Sequence, residues 1–155
     1  TEYKSRFKKF TEKADIFISC HYWDHNADVL FNEEDIQNEE FNLKVIADIT
    51  CDIKGSIPTT IRPSTIDNPI YGYNPESKEE GAPFSPSNIT VMAVDNLPCE
   101  LPRDASIDFG TALIKDIIPA LAGDDVTNII DRASITKSGK LNTGYEYLKD
   151  YASWE

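Results

Sequence analysis

Three short runs of apolar and β-branched residues divide the first two thirds of the chain. They lie at Ala14 to Cys20, Lys44 to Thr50 and Ile89 to Val94. Runs of this length and composition are typical of strands that are buried on both faces of a parallel sheet. Between the first two runs, the segment NEEDIQ has the acidic first turn of a short helix. The pattern therefore predicts a βαβ unit with a parallel strand pair.

Helical spacing of apolar residues marks both ends of the chain. Tyr3, Phe7 and Phe10 recur at this spacing and predict an amphipathic helix. The longest periodic segment is Pro102 to Leu121, whose apolar stripe comprises Ile107, Ile114, Ile118 and Leu121. Proline suits a first helical turn, so we expect this helix to begin at Pro102 and to loosen or kink near Pro119.

Shorter signals follow this long helix. The segment Asp125 to Ala133 predicts another helix, and Ser138-Gly139 predicts a turn. Thr143 and Glu146 match the capping box of a last helix.

The segment from Ile57 to Asn88 is rich in Pro, Thr, Ser and Asn, which indicates irregular structure. Within it, Pro69 to Tyr73 predicts a brief extended segment. Glu76 to Asn88 predicts an exposed, mobile loop.

Composition narrows the classes of partner. The 155 residues are 40% hydrophobic, which is enough for a domain with a real core. The formal net charge of −12 repels phosphate backbones and anionic membrane surfaces, so neither nucleic acid nor membrane is an expected partner. No apolar run approaches the length of a membrane span, and no signal peptide is recognised, so we expect a cytoplasmic protein.

The cysteine and histidine pattern indicates neither a disulfide framework nor a metal site. Cys20, Cys51 and Cys99 are odd in number and widely spaced, which favours buried, reduced thiols. His21 and His25 are four positions apart, but no CxxC pair accompanies them, so a surface loop is favoured over zinc.

Polar residues occur where the predicted strands end. Asp52 and then Gly55 follow the second strand, and Asp95, Asn96 and Leu97 follow the third. Ligands of open α/β sheets bind at the carboxyl ends of the strands, so Asp52 is a candidate site residue. The alternative is that Asp52 only caps the turn. Neither a G-x-G-x-x-G motif nor a P-loop is present in this sequence.

The motifs IADITCDIKGSI, STIDNPIYGYNP and VMAVDNLPCELPRDAS resemble the C-terminal part of lysine-forming saccharopine dehydrogenase and lysine-ketoglutarate reductase. These belong to the alanine dehydrogenase and transhydrogenase superfamily. The resemblance implies an α/β fold with the last strands of a Rossmann-like parallel sheet, a long crossing helix and a C-terminal helical segment. Residues 1–98 would belong to the NAD(P)-binding lobe, and residues 99–155 would supply the crossing helix and a returning segment of the substrate lobe.

The resemblance also implies an activity and its residues. The whole enzyme would transfer hydride between NAD or NADP and the C–N bond that joins lysine to 2-oxoglutarate in saccharopine. Asp52 would act catalytically, and the cofactor would be bound by Cys20, His21, Tyr22, Asp95, Asn96 and Leu97. Alternatives are an alanine dehydrogenase-like enzyme and a non-catalytic interaction or regulatory module.

The glycine-rich loop and the catalytic Lys and His of the family have no counterpart in this sequence, so the resemblance implies a fragment that is inactive alone. Its first strand would then be an open sheet edge, which invites pairing with another chain. We therefore expect a homodimer, or a helix docked over that edge.

Overall fold

The computed structural model describes residues 5–24, 27–123 and 125–152. The chain divides after Glu100 into two compact units. Tyr3 and His25, which entered the sequence predictions, lie outside the described residues.

A five-stranded mixed sheet forms the first unit. The strands are β1 (Ile16–Ser19), β2 (Val45–Asp48), β3 (Ile70–Tyr73), β4 (Glu80–Gly81) and β5 (Ile89–Met92). Their spatial order is β1-β2-β5-β3-β4. β1, β2 and β5 run parallel, whereas β3 is antiparallel to both β5 and β4. The predicted α/β fold with a mostly parallel sheet is therefore confirmed, as is the parallel βαβ pair.

Two short helices flank β1 in the sequence. Helix α1 spans Lys8–Thr11 and helix α2 spans Glu33–Ile36. Helix α2 begins at a reciprocal cap, in which Asp35 N–H donates to Asn32 Oδ1 and Asn32 N–H donates to Asp35 Oδ2, both at 2.9 Å. These bonds satisfy amide groups that the first helical turn leaves unpaired, so the helix forms despite its single turn.

The hydrophobic core of this unit is built from one side chain face of each central strand and from aromatic rings around them. Ile46 and Val91 are fully buried, and so are Phe31, Ile57 and Tyr71. The Phe17 ring lies 5.1 Å from that of Phe7 and 5.9 Å from that of Phe31, measured between centroids, which packs α1 and β1 onto the core.

The expectation that β1 is buried on both faces is wrong. Ser19 is buried and Phe17 half-buried, but Ile16 and Ile18 are each 61% exposed. Side chains alternate between the two faces of a strand, so one face of β1 packs on the core while the other carries two exposed isoleucines.

Two further expectations about the first unit need correction. Cys20 and Cys99 are exposed and Cys51 is only partly buried, because none of the three lies within a strand: Cys20 follows β1, Cys51 lies in a loop and Cys99 lies in a 3-10 helix (Leu97–Glu100). All three thiols are free. The segment Glu76 to Asn88 is not only loop, because it contains β4. Gly72 makes that pairing possible, since a Cβ there would collide with the Ala82 carbonyl oxygen.

The second unit begins with a continuous helical run. Helix α3 (Pro102–Ala112) leads through a π-helical turn (Leu113–Ile117) into helix α4 (Ile118–Ala122). Pro119, which has no N–H to donate, is the second residue of α4, and the π-helical turn ends two residues before it, so the loosening predicted near Pro119 is confirmed. The apolar stripe of this run is more than half exposed at Ile107, Ile114, Ile118 and Leu121.

The remaining elements are short. Helix α5 (Ile129–Ala133) is capped by the Asp125 carboxylate, which accepts from three amides of its first turn. A two-stranded hairpin, β6 (Thr136–Lys137) and β7 (Lys140–Leu141), turns at Ser138-Gly139 as predicted.

The chain then enters a 3-10 helix (Thr143–Leu148) and helix α6 (Lys149–Ala152). The predicted capping box at Thr143 and Glu146 is wrong, because Asn142 is the cap and its Oδ1 accepts from Thr143 N–H at 2.9 Å. No helix in the described part of the chain is long and apolar enough to cross a membrane.

Candidate functional site

An open cleft of about 590 Å³ lies where β1 and β2 end. Ser19 and Asp48, the last residues of these strands, are paired in the sheet, so the segments that follow them leave the sheet side by side. The cleft is lined by Cys20, His21, Tyr22 and Trp23 after β1 and by Ile49, Thr50, Asp52, Ile53, Lys54 and Gly55 after β2.

A buried carboxylate organises the chain beneath this cleft. Asp48 is fully buried. Its Oδ1 accepts from Thr50 N–H at 3.1 Å and from Thr50 Oγ1 at 2.6 Å, while its Oδ2 accepts from Thr60 Oγ1 at 2.6 Å. These bonds compensate the cost of burying the carboxylate and hold the segment around Thr60 against the end of β2.

Cys51 ties the cleft loop to the end of β5. Its Sγ donates to the Ala93 carbonyl oxygen at 3.1 Å. Burial raises the pKa of the Cys51 thiol, and the negative charges of Asp95, Asp48 and Asp52 raise this pKa further. The thiol is thereby kept in the protonated form that can donate the hydrogen bond.

Asp52 opens a tight turn on the wall of the cleft. Gly55 N–H donates to the Asp52 carbonyl oxygen at 2.9 Å, and a Cβ at Gly55 would lie 2.5 Å from Asp52 Cβ. The main chain of Asp52 therefore closes the turn. Its exposed carboxylate makes no hydrogen bond within the described residues, which disfavours the alternative that this side chain only caps the turn.

His21 presents an imidazole with one partnered nitrogen. Its Nδ1 lies 3.2 Å from Ser19 Oγ, and Ser19 is buried. Its Nε2 is buried without a hydrogen-bond partner among the described residues. Buried polar atoms of this kind are rare in native proteins and call for a partner.

The predicted site residues fall into two groups. Cys20, His21, Tyr22 and Asp52 line the same cleft. Asp95, Asn96 and Leu97 follow β5 and are outside the lining of the cleft; Leu97 begins a 3-10 helix (Leu97–Glu100). Asp95 is nevertheless close enough for its charge to act on the Cys51 thiol.

Comparison with known proteins identifies the relatives of this chain, although no protein-family model matches it. It is 30% identical over 148 residues to alpha-aminoadipic semialdehyde synthase of Arabidopsis thaliana, a match that covers 91% of this chain and 14% of the relative. It is 30% identical over 115 residues to saccharopine dehydrogenase [NAD(+), L-lysine-forming] of Emericella nidulans, covering 72% of this chain and 29% of the relative. The chain is a homologue of these proteins.

A third relative, the mitochondrial alpha-aminoadipic semialdehyde synthase of Mus musculus, is 26% identical over 173 residues, covering 95% of this chain and 19% of the relative. The resemblance to saccharopine dehydrogenase is thus confirmed. This chain spans less than a third of the length of each of these three relatives.

Two residues in or beneath the cleft were not predicted from the sequence. Asp48 lies inside the apolar run Lys44 to Thr50, and an acidic residue inside a buried strand signals a hydrogen-bonded structural role. Lys54 was not singled out, although it stands between Asp52 and the turn glycine and lines the cleft.

The absence of a metal site remains a prediction. Within residues 5–24, 27–123 and 125–152 there is no group of three or more His, Cys, Asp or Glu side chains that could hold a metal ion.

Proposed function

We propose that this chain is part of an NAD-dependent oxidoreductase of lysine metabolism, of the saccharopine dehydrogenase type. Residues 1–98 would contribute to the nucleotide-binding lobe, and residues 99–155 would supply the crossing helix and a segment of the substrate lobe. The homology to saccharopine dehydrogenases carries this proposal. The NAD(+) in the name of the fungal relative supports NAD over NADP.

The cleft beside β1 and β2 is the proposed meeting point of cofactor and substrate. The parallel strands β1 and β2 end there, and ligands of open α/β sheets bind at such strand ends. Asp52 presents an exposed carboxylate at the cleft, and His21 Nε2 has no hydrogen-bond partner among the residues that the structure describes. These two features fit a polar ligand.

The residues of the chain have distinct proposed roles. A bound nicotinamide would accept or supply the hydride, which is chemistry that protein side chains do not perform. Asp52 would stabilise the positive charge on the imine nitrogen of the substrate, because a carboxylate beside a developing cation lowers its free energy.

The other proposed contacts orient the cofactor. Cys20, His21 and Tyr22 would contact it mainly through their main chain. Asp95, Asn96 and Leu97 would line its nicotinamide ribose.

Steady-state kinetics of the protein in its full natural length test this proposal. We expect oxidation of saccharopine by NAD, with hydrolysis to lysine and 2-oxoglutarate. In the opposite direction we expect NADH to drive the reductive condensation of lysine with 2-oxoglutarate. Alanine with NAD is the comparison. Turnover of alanine alone would replace the proposal by the alanine dehydrogenase-like alternative, and the absence of any turnover would favour the non-catalytic module.

An Asp52→Asn variant tests the catalytic role. The substitution keeps the shape of the side chain and removes its charge, so we expect kcat to fall by about 10²-fold with little change in the melting temperature. Asp67→Asn, at another exposed aspartate of the same unit, is the control and should keep wild-type kcat. A kcat for Asp52→Asn within threefold of wild type would remove Asp52 from the proposed chemistry.

The proposed location is the cytoplasm. The name of the mouse relative includes the word mitochondrial, so the two compartments need to be distinguished. Cell fractionation followed by immunoblotting would do this, and recovery of the protein with mitochondria would contradict the proposed location.

A further inference from the structure

Lys54 occupies a position between two cavities. It lines the cleft beside β1 and β2 and also a neighbouring cavity of about 500 Å³. Its side chain is exposed and makes no ion pair within the described residues. Among the described residues that line the cleft, it is the only lysine or arginine.

The backbone of Lys54 has a left-handed conformation, with φ of +55°. In this region the Cβ of an L-residue crowds the adjacent carbonyl oxygen, so glycine is favoured and a lysine costs free energy. Residues held in such conformations cluster at ligand sites. The local conformation therefore does not explain why a long cationic side chain stands at this position.

Charge distinguishes Lys54 from its surroundings. The chain has a formal net charge of −12, so its overall field repels anionic ligands. Lys78, the other lysine lining the neighbouring cavity, also has a left-handed backbone, with φ of +58°, but its ammonium is paired with Glu33. Lys54 therefore offers an unpaired positive charge at the edge of the cleft.

We propose that the Lys54 ammonium binds an anionic group, a carboxylate or a phosphate, of the ligand held in the cleft. This proposal rests on the proposed function, whose ligands carry both groups: carboxylates on 2-oxoglutarate and the pyrophosphate of the dinucleotide. An ammonium is a strong donor to either oxyanion.

The left-handed backbone allows a sharp test, because one substitution should change stability and binding in opposite directions. Lys54→Gly removes the charge and suits the local conformation. In the protein of full natural length, we measure the melting temperature and the Kd for NADH, and then the Kd for 2-oxoglutarate at saturating NADH. Lys78→Gly is the matched control, since it makes the same change at a left-handed lysine outside the lining of the cleft.

We expect Lys54→Gly to weaken binding of one of the two ligands about tenfold, which corresponds to about 1.4 kcal/mol, without lowering the melting temperature. A weaker Kd for NADH identifies a phosphate as the partner, and a weaker Kd for 2-oxoglutarate identifies a carboxylate. Lys54→Arg should restore most of the affinity, and Lys78→Gly should bind both ligands as the wild type does.

Several results would overturn the proposal. Equal affinities for wild type and Lys54→Gly would mean that Lys54 is only solvated, and equal losses in both glycine variants would indicate a general charge effect. A joint fall of affinity and melting temperature in Lys54→Gly would indicate a structural role. If the wild type binds neither ligand, the proposed function fails as well. If the wild type binds the ligands and Lys54→Gly binds them equally well, only this inference is refuted.

Discussion

Thr60→Val should destabilise the protein by removing a single buried hydroxyl. Thr60 is fully buried, and its Oγ1 donates at 2.6 Å to Oδ2 of the fully buried Asp48. Valine has nearly the same shape, so the substitution leaves no cavity. It leaves Asp48 Oδ2 without the donor that the structure provides, while Oδ1 keeps both bonds from Thr50.

The size of the effect follows from this geometry. A hydrogen bond to a charged group contributes about 1.5–3 kcal/mol, and an unsatisfied buried polar atom costs about as much. Because Thr60 is the single donor to this oxygen in the described residues, we expect the free energy of unfolding to fall by about 2 kcal/mol. The main-chain bond from Lys54 N–H to the Thr60 carbonyl oxygen, at 3.4 Å, is not affected by the substitution.

Urea denaturation of the protein in its full natural length measures this loss. The midpoint should fall while the slope with urea stays constant. Thr65→Val is the matched control: Thr65 is exposed and its Oγ1 accepts a long bond of 3.3 Å from Asn68 N–H, so its change should stay within about 0.5 kcal/mol. In an Asp48→Asn background, Thr60→Val should cost less, because the two side chains interact directly. A loss below about 0.5 kcal/mol for Thr60→Val, or strict additivity with Asp48→Asn, would refute the reasoning.

Three further predictions concern the first unit. Alkylation of Cys51 at neutral pH should be slower than that of the exposed Cys20, because the raised pKa of Cys51 leaves less reactive thiolate. Mass spectrometry of the labelled peptides measures the two rates, and equal rates would contradict this prediction. Arg62 pairs with both carboxylate oxygens of Glu80, at 2.6 and 2.7 Å, and lowers the pKa of Glu80. The stability that this pair contributes should therefore be fully present at pH values above the ordinary pKa of glutamate. It should be lost as the pH falls through the lowered pKa of Glu80. Because both side chains are partly exposed to solvent, Glu80→Gln should cost less than about 1 kcal/mol at neutral pH in urea denaturation, and a larger loss would show that the ion pair is not screened. Two copies of the chain are expected to associate through β1, so light scattering should detect a dimer that Ile18→Lys converts to monomer, and a monomeric wild type would refute this prediction.

Strands β1, β2 and β5 could be predicted from the sequence because their apolar runs are short, β-branched and bounded by polar residues, whereas the two-residue β4 has no such run. The burial of each strand face could not be predicted in this way. The burial of β1 depends on which elements cover each face, and the exposure of Ile16 and Ile18 is a tertiary property. The composition of Ile57 to Asn88 predicts irregular structure, but it does not reveal that Thr59 and Thr60 are fully buried. Their burial depends on partners elsewhere in the sequence, such as Asp48 for Thr60.

The candidate site could also be predicted only in part from the sequence. The family resemblance suggested the residues from Cys20 to Tyr22, and the rule that ligands bind at strand ends selected Asp52. The parallel pairing of β1 and β2 places all four residues along one cleft. The same rule selected Asp95 to Leu97, but the chain turns into a 3-10 helix there and leaves the cleft lining. The left-handed conformation of Lys54 could not be predicted, because lysine does not favour it.

The two-residue length of β4 protects one side of the sheet from aggregation. A short edge strand presents few unpaired main-chain groups, so another chain gains little by adding to it. The opposite side ends in the four-residue β1, with its exposed isoleucines. Strand addition is therefore favoured at β1 over β4, and a polar substitution in β1 should reduce it.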